Sequence, residues 1–320
     1  MGLKIGVIGV GGVGGYFGSK LCRLISAQGA EVYFVARGEH LDAIRRNGLL
    51  VQTAAEGEWT CHPTLATDDF QALPVLDLCL VCVKAYDLQH VARRLRHCVS
   101  EATAVIPLLN GIDICERMRK EWKGLDAARI FPACTYIGTH IASPGKIEQR
   151  GGDCKIQFGG DPQAPGIRPE SVCEVFAQSG IAFEFFDDIS SELWRKYIFI
   201  ASLGMVQASF DKTLGQVMES PELSHYLQSV MEEITTLGRR KRIDLPADIV
   251  ATNYQRAQSF AYKTKTSFQR DFEEADKPDE RDILTGTILR MGIELGIETP
   301  VIRELSDRME RRKPRGVNTI

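Results

Sequence analysis

Gly9, Gly11 and Gly14 stand in the pattern G-x-G-x-x-G, within Gly9-Val10-Gly11-Gly12-Val13-Gly14, directly after the apolar run Leu3 to Ile8. Glycines at this spacing suit a phosphate cradle. Gly9 allows a tight turn, Gly11 lets the backbone approach a pyrophosphate, and Gly14 lets a following helix pack close to a sheet. The helix N-terminus then offers free N–H groups and the positive end of its dipole, so Gly12 and Val13 join the cofactor-binding set. Apolar residues at Val13, Phe17, Leu21, Leu24 and Ile25 share one helix face; Gly29 stops that helix, and Glu31 to Ala36 supplies a second strand. The motif therefore lies inside a β-α-β unit, the context that makes it a dinucleotide signal. Glycines serving turns and packing alone are the plainer alternative. The second strand ends in Val35-Ala36-Arg37-Gly38, where an NAD enzyme usually carries an acid for the ribose 2′-hydroxyl. An arginine cannot accept from that hydroxyl but can fork onto a 2′-phosphate, so Arg37 favours NADP (NADPH) over NAD; a solvated surface arginine is the alternative.

Lys84 and Asn110-Gly111 follow further strands, at the carboxyl ends where open α/β sheets bind ligands, though either could be an ordinary strand-exit polar residue. A nucleotide-binding first domain before a helical second one is a plan for hydride transfer between nicotinamide and a carbonyl. Ketone reduction also needs a proton for the oxygen. Lys196 is the one lysine in Leu193-Trp194-Arg195-Lys196-Tyr197-Ile198-Phe199-Ile200. It either reaches outward along an apolar surface or is held in a cleft with a lowered pKa. Asp279-Glu280-Arg281-Asp282 offers acidic partners.

Composition sets the frame. The chain has 320 residues, 44% hydrophobic and 25% charged, with net charge −3, ordinary for a globular protein of about two domains. The charge argues against a nucleic-acid partner, and no apolar run approaches the roughly 20 residues of a membrane span. Nine cysteines lie between Cys22 and Cys173, an odd count without regular spacing, which reads as reduced thiols in a cytoplasmic protein. Cys79 and Cys82 sit inside an apolar run and read as strand-core thiols; His62 and His140 lack a second ligand at useful spacing, so no metal is expected.

Other expected elements position these residues. Asp87 to Val99 reads as a helix, and Pro107 predicts a short or bulged strand. Ser143-Pro144-Gly145 and Gly151-Gly152-Asp153 bracket Lys146 to Gln149 and Lys155 to Phe158 as a hairpin, and Ile181 to Phe186 reads as the last strand of the sheet. Helices then dominate. Ser190 or Ser191 can cap the helix of Lys196; Ser220-Pro221-Glu222 opens another, and Thr299-Pro300 opens the last in the same way. The basic tail Arg311 to Arg315 reads as a solvated end. The expected division is residues 1–187 and 188–320.

The stretches GVGGVGGYFGSKL from Gly9, VARGEHLDAIRRNGL from Val35, VKAYD from Val83, LLNG from Leu108, SPGKIE from Ser143, WRK from Trp194, TSFQRD from Thr266 and PDERDILTG from Pro278 carry a resemblance to a known family. Nearly end to end, the chain resembles the ketopantoate reductases (2-dehydropantoate 2-reductases). The resemblance implies an α/β N-terminal Rossmann-type dinucleotide-binding domain followed by an all-α C-terminal domain, similar to that of 6-phosphogluconate dehydrogenase. It implies NADPH-dependent reduction of a 2-oxo acid, most directly ketopantoate to pantoate in pantothenate and coenzyme A synthesis. By the same resemblance Gly9, Gly11 and Gly14 match the dinucleotide loop, Arg37 the 2′-phosphate receiver, and Lys84 a lysine near the cofactor. Asn110 matches an asparagine orienting the nicotinamide and the catalytic lysine. Lys196 matches that lysine, Ser267 a serine at the substrate carboxylate, and Glu280 the acid orienting substrate and lysine.

The family pattern also places asparagines four and eight residues after the lysine, where this chain has Ile200 and Gly204. Neither can hydrogen-bond a substrate hydroxyl, a loss that changes discrimination strongly. Gln207, on the same face three turns on, could compensate; a larger, less polar pocket is the expectation. The alternatives are therefore the same chemistry on a bulkier, more apolar 2-oxo acid, or an NADPH-sensing regulator without turnover. The resemblance leaves a homodimer or a monomer open.

Overall fold

The computed structural model describes residues 2–122, 129–160, 169–275 and 277–313. The chain divides into two compact units, the first running to Asn110 and from Ile114 to Ile189, the second comprising Gly111–Asp113 and the chain from Ser190. The second unit thus takes up three residues directly after Asn110, which no local sequence pattern marks.

In the first unit β1 (Lys4–Ile8), α1 (Gly12–Leu21), the short α2 (Arg23–Gln28) and β2 (Glu31–Val35) form the β-α-β unit around the glycines. The crossover breaks at Cys22 and ends at Gly29 in the left-handed conformation. α3 (Gly38–Asn47), β3 (Leu49–Thr53), β4 (Gly57–Cys61) and β5 (Leu65–Thr67) follow. β6 (Leu78–Val81), α4 (Leu88–Leu95), β7 (Ala104–Pro107), α5 (Ile114–Glu121) and β8 (Arg129–Ile130) continue the alternation. Six strands pair in parallel in the order β5-β2-β1-β6-β7-β8. β1 lies in the middle, with β2 on one side and β6 on the other, so the Gly9 turn leaves the sheet where the strand order reverses. Ile5, Val7, Val32, Phe34 and Leu80 are fully buried, as parallel strands covered on both faces require. Cys79 is buried in β6, and burial pushes its thiol well above the ordinary range.

The rest of this unit departs from expectation. β9 (Ala133–Thr135), β10 (Gly138–Ser143), β11 (Lys146–Gly151), β12 (Lys155–Gly159), α6 (Glu170–Ser179) and β13 (Ala182–Phe186) do not place 146–149 and 155–158 in one hairpin. β11 pairs antiparallel with β10 and parallel with β3, whereas β12 lies between β13 and β9 in another sheet. β13 therefore closes this three-stranded sheet, not the six-stranded one. Gly152, with φ +88°, and Cys154, with φ +51°, turn the chain out of one sheet and into the other. Both strands bury alternate residues, and a period of two does not say which strand lies alongside.

Among its described residues the second unit is helical. α7 (Ser190–Phe210) packs against α9 (Pro221–Arg240), α10 (Ile249–Gln258), α11 (Ser267–Glu273) and α13 (Pro300–Arg312); α8 (Leu214–Glu219) and α12 (Thr287–Leu295) complete it. Ser220 caps α9 by accepting from Leu223 N, with Pro221 as its first residue. α13 starts differently from expectation. The Thr299 side chain makes no cap; the Glu233 carboxylate of α9 accepts from Val301 N (2.8 Å) and Ile302 N (3.0 Å) instead. Burial pushes the Glu233 carboxyl up in pKa, against the pull of these two N–H groups. Ser191 lies inside α7, where its hydroxyl donates to Asp244 O instead of capping. The basic tail is solvated only in part: Arg311 and Arg312 are exposed, yet Arg312 Nη1 donates to Ala208 O (2.6 Å), and Lys313 is folded inward. Pro314 and Arg315 lie outside the described residues. No helix among the described residues is long and apolar enough to cross a membrane.

Candidate active site

The glycine turn has the shape its residue types imply. Gly9 has φ +92°, and a Cβ there would meet Val83 at 2.7 Å. A Cβ on Gly14 would lie 2.1 Å from Gly9 O, so the first turn of α1 is pressed onto the loop. At Gly11 the position of a Cβ is open space. α1 begins after Gly11 with no side-chain cap and no acid in its first turn. An open backbone beside uncapped N–H groups fits a dinucleotide pyrophosphate. Gly12 is occupied on its other side, since a Cβ there would lie 2.7 Å from the Thr139 carbonyl and hydroxyl. It can serve a phosphate through its N–H alone. Val13, beside it, is half-buried.

Arg37 precedes α3, its side chain 77% exposed, and donates from Nη2 to Asp87 Oδ2 at 2.9 Å. The guanidinium is held at the end of β2 by a surface pair of small energy, which an incoming phosphate can replace. Asp87 was missed from sequence; nothing local relates it to Arg37. Lys84 is half-buried beyond β6, and Asn110 is half-buried beyond β7, before Gly111 with φ +144°.

In the second unit Lys196 is 7% exposed on α7, so it does not reach outward into solvent. Glu280, 5% exposed, opens a turn in which Leu284 N donates to Glu280 O. Asp282–Gly286 is a π-turn, with Thr287 N reaching back to Asp282 O. Such wide turns recur at functional sites. Tyr197, next to Lys196 and buried, places its hydroxyl 2.9 Å from Ile283 O and 2.7 Å from Leu284 O. The residue after the lysine thus fastens to the carbonyls three and four residues beyond the acid. Sequence reading passed over Tyr197; a tyrosine in an apolar helix needs a partner for its hydroxyl, and that was the available signal.

Ser267 is exposed at the start of α11, just after Thr266, whose hydroxyl caps that helix by accepting from Gln269 N. Two of the expected pocket residues take unexpected roles. Gln207, 1% exposed, donates from Nε2 to Thr264 O (2.8 Å) and accepts at Oε1 from Thr266 N (3.1 Å). Both ends of its amide hold the turn before Ser267, so it does not substitute for the absent asparagines. Gly204 does not widen the pocket: a Cβ there would lie 3.1 Å from Phe268 Cδ1, and the buried Phe268 ring takes up the room. Ile200 is half-buried and presents an apolar side chain one turn after Lys196. Extra volume at Gly204 is absent.

The first unit therefore carries an open glycine turn suited to phosphate, and the second carries a buried lysine, a buried acid and an exposed serine. These are the parts needed to deliver hydride and proton to a carbonyl. The chain matches the family description Ketopantoate reductase PanE/ApbA over residues 5–163 and Ketopantoate reductase PanE/ApbA C terminal over residues 188–312. It belongs to the ketopantoate reductase family. It is 26% identical over 302 residues to the 2-dehydropantoate 2-reductase of Archaeoglobus fulgidus, covering 94% of this chain and 95% of that one. It is 25% identical over 303 residues to the uncharacterized oxidoreductase YkpB of Bacillus subtilis, with 94% and 95% covered. Among solved structures it is similar to the 2-dehydropantoate 2-reductase of Porphyromonas gingivalis W83, at TM-score 0.78 and 29% identity, covering 98% of this chain and 99% of that one. As a member of the ketopantoate reductase family the chain is an NADP-dependent oxidoreductase acting on CH–OH groups, and reduces a 2-oxo acid.

The Gln207 clamp is testable apart from activity. Gln207→Leu strands the Thr266 N–H, and a buried unpaired donor costs about 1–3 kcal/mol. The expected fall in Tm is roughly 3–10 °C by thermal melt. An unchanged Tm would show that the amide is not what holds the turn.

Proposed function

We propose that this enzyme reduces ketopantoate (2-dehydropantoate) to pantoate, with Lys196 as proton donor. The observation that carries the reading is the pair of bonds from Tyr197 to Ile283 O and Leu284 O, which fastens the helix of Lys196 to the turn opened by Glu280. Gly9–Gly14 would hold the pyrophosphate of NADPH and Arg37 its 2′-phosphate, and the bound cofactor would supply hydride for the keto carbon. Lys196 gives its proton to the keto oxygen. Glu280 orients the substrate and the lysine, Ser267 contacts the substrate carboxylate, and Lys84 and Asn110 serve the cofactor side. The reaction then feeds pantothenate and coenzyme A synthesis in the cytoplasm. Membership in an oxidoreductase family displaces the alternative of a sensor without turnover.

Ile200, an apolar side chain where the family pattern has an asparagine, favours a second reading of the substrate, a bulkier, more apolar 2-oxo acid without a side-chain hydroxyl. Comparison of kcat/KM for ketopantoate with branched and aromatic 2-oxo acids decides between them; a clear ketopantoate preference ends the second reading, and the reverse ends the first.

A positioned general acid is worth roughly 10²–10⁴ in rate. Lys196→Ala is therefore expected to lower kcat by about that factor in steady-state NADPH oxidation while NADPH still binds. Near-full kcat would remove Lys196 from the chemistry. Arg37→Ala is expected to raise the Kd for NADPH much more than that for NADH in fluorescence titration. Equal weakening would contradict a 2′-phosphate contact.

A further inference from the structure

The basic end of the described chain remains unused by the reaction, yet it is built into the acid's surroundings. Lys313 directly follows α13, and its side chain is 13% exposed. Its Nζ donates to Glu274 O (2.6 Å), Lys277 O (2.8 Å) and Asp271 O (3.4 Å), three carbonyls of the segment that leads to Glu280. The same Nζ lies 3.6 Å from Asp279 Oδ2, an ion pair beyond hydrogen-bond length. That oxygen is buried and makes no hydrogen bond among the described residues. On the other side of Glu280, Arg281 Nη1 donates to Lys313 O at 2.7 Å. Arg281 also donates from Nε (2.9 Å) and from its backbone N (3.1 Å) to Asp279 Oδ1, and pairs with Glu310 at 3.2 Å. The Asp279 and Arg281 side chains are almost wholly buried, and Arg281 and Lys313 both lie over the Phe272 ring.

Both neighbours of Glu280 in the chain therefore end on Lys313, one through its ammonium and one through its carbonyl. Solvated lysines do not make three backbone bonds, and with Arg281 on Asp279 Oδ1 the Lys313 ammonium is the cation facing the buried second oxygen, Oδ2. A residue so placed fixes the backbone on each side of the acid, and small misplacements of catalytic groups carry large kinetic costs. We propose that Lys313 is a positioning residue that holds Glu280 in register for the reaction. The proposal rests on the reading of Glu280 as the acid that orients substrate and lysine.

The test uses the full chain, saturating NADPH and the best 2-oxo acid of the substrate panel. Lys313→Met keeps the apolar stem and removes the charge. It is expected to lower kcat about tenfold, to alter the pH profile of kcat, and to leave the NADPH Kd within about twofold of the parent. Lys313→Arg is expected to restore most of the kcat. Glu280→Gln and the double variant complete a cycle, in which Lys313→Met adds little to the loss from Glu280→Gln. Asp279→Asn, which weakens the same ion pair without changing volume, replaces Lys313→Met if that variant does not fold. A lower Tm with parental kcat and pH profile would mean that Lys313 only staples the fold, and overturns the proposal. Additive losses in the double variant overturn it as well. If Glu280→Gln lowers kcat and Lys313→Met does not, the proposal falls and the site reading stands. If Glu280→Gln leaves kcat unchanged, the reading of Glu280 falls and takes the proposal with it.

Discussion

The Tyr197 hydroxyl lies under two carbonyls, Ile283 O and Leu284 O, in the buried centre of the helical unit. One hydroxyl proton is shared between them. The π-turn at Asp282–Gly286 reorganises the backbone bonds, with Thr287 N reaching Asp282 O. The hydroxyl then fixes α7 against that turn in rotation and in height. Lys196 stands one residue before the tyrosine, and Glu280 stands three residues before the first carbonyl. Once this contact is set, the place of the lysine within the unit follows from helix geometry, and the acid stands at the opening of the turn that the hydroxyl holds. Gly286 supports the same turn, since a Cβ there would lie 2.6 Å from Asp282 Oδ1, which pairs with Arg290.

Around this contact other long-range bonds hold the ends of segments. Gln207 grips Thr264 and Thr266 before Ser267, Glu233 takes the first N–H groups of α13, and Lys313 closes the loop before Glu280. In each case one buried or half-buried side chain ties backbone groups of a distant segment, which is how irregular segments become rigid enough to carry chemistry. The first unit uses glycine to the same end. Its phosphate turn is defined by where a Cβ would collide, at Gly9 and Gly14, and by where it would not, at Gly11.

Local signals were legible in the sequence. The Gly9–Gly14 pattern between two apolar runs placed a strand, a turn and a helix, and Ser220-Pro221 announced the start of α9, because a cap or a tight turn depends on residues close in the chain. The α/β-then-helical architecture followed from the same periodicities. What was not legible depended on distant partners. Alternation identified β11 and β12 as strands but could not assign them to different sheets. Gly204 read as a gap because nothing nearby says that Phe268 fills it, and Gln207 read as a free amide because its partners lie on another segment. The Arg311 to Arg315 run read as a tail because charge alone does not reveal that Lys313 is turned inward. Ile200 is the site feature that both views agree upon: an apolar side chain one turn from the lysine.

The central claim is that Lys196 and Glu280 act together because Tyr197 locks their two segments. Its most direct test is the single-turnover rate of NADPH oxidation by Tyr197→Phe, followed by stopped flow with saturating 2-oxo acid. Phenylalanine keeps the ring and its packing and removes the shared hydroxyl. The account predicts a rate at least about tenfold below the parent, with an unchanged NADPH Kd. A folded Tyr197→Phe enzyme with the parental single-turnover rate would contradict it.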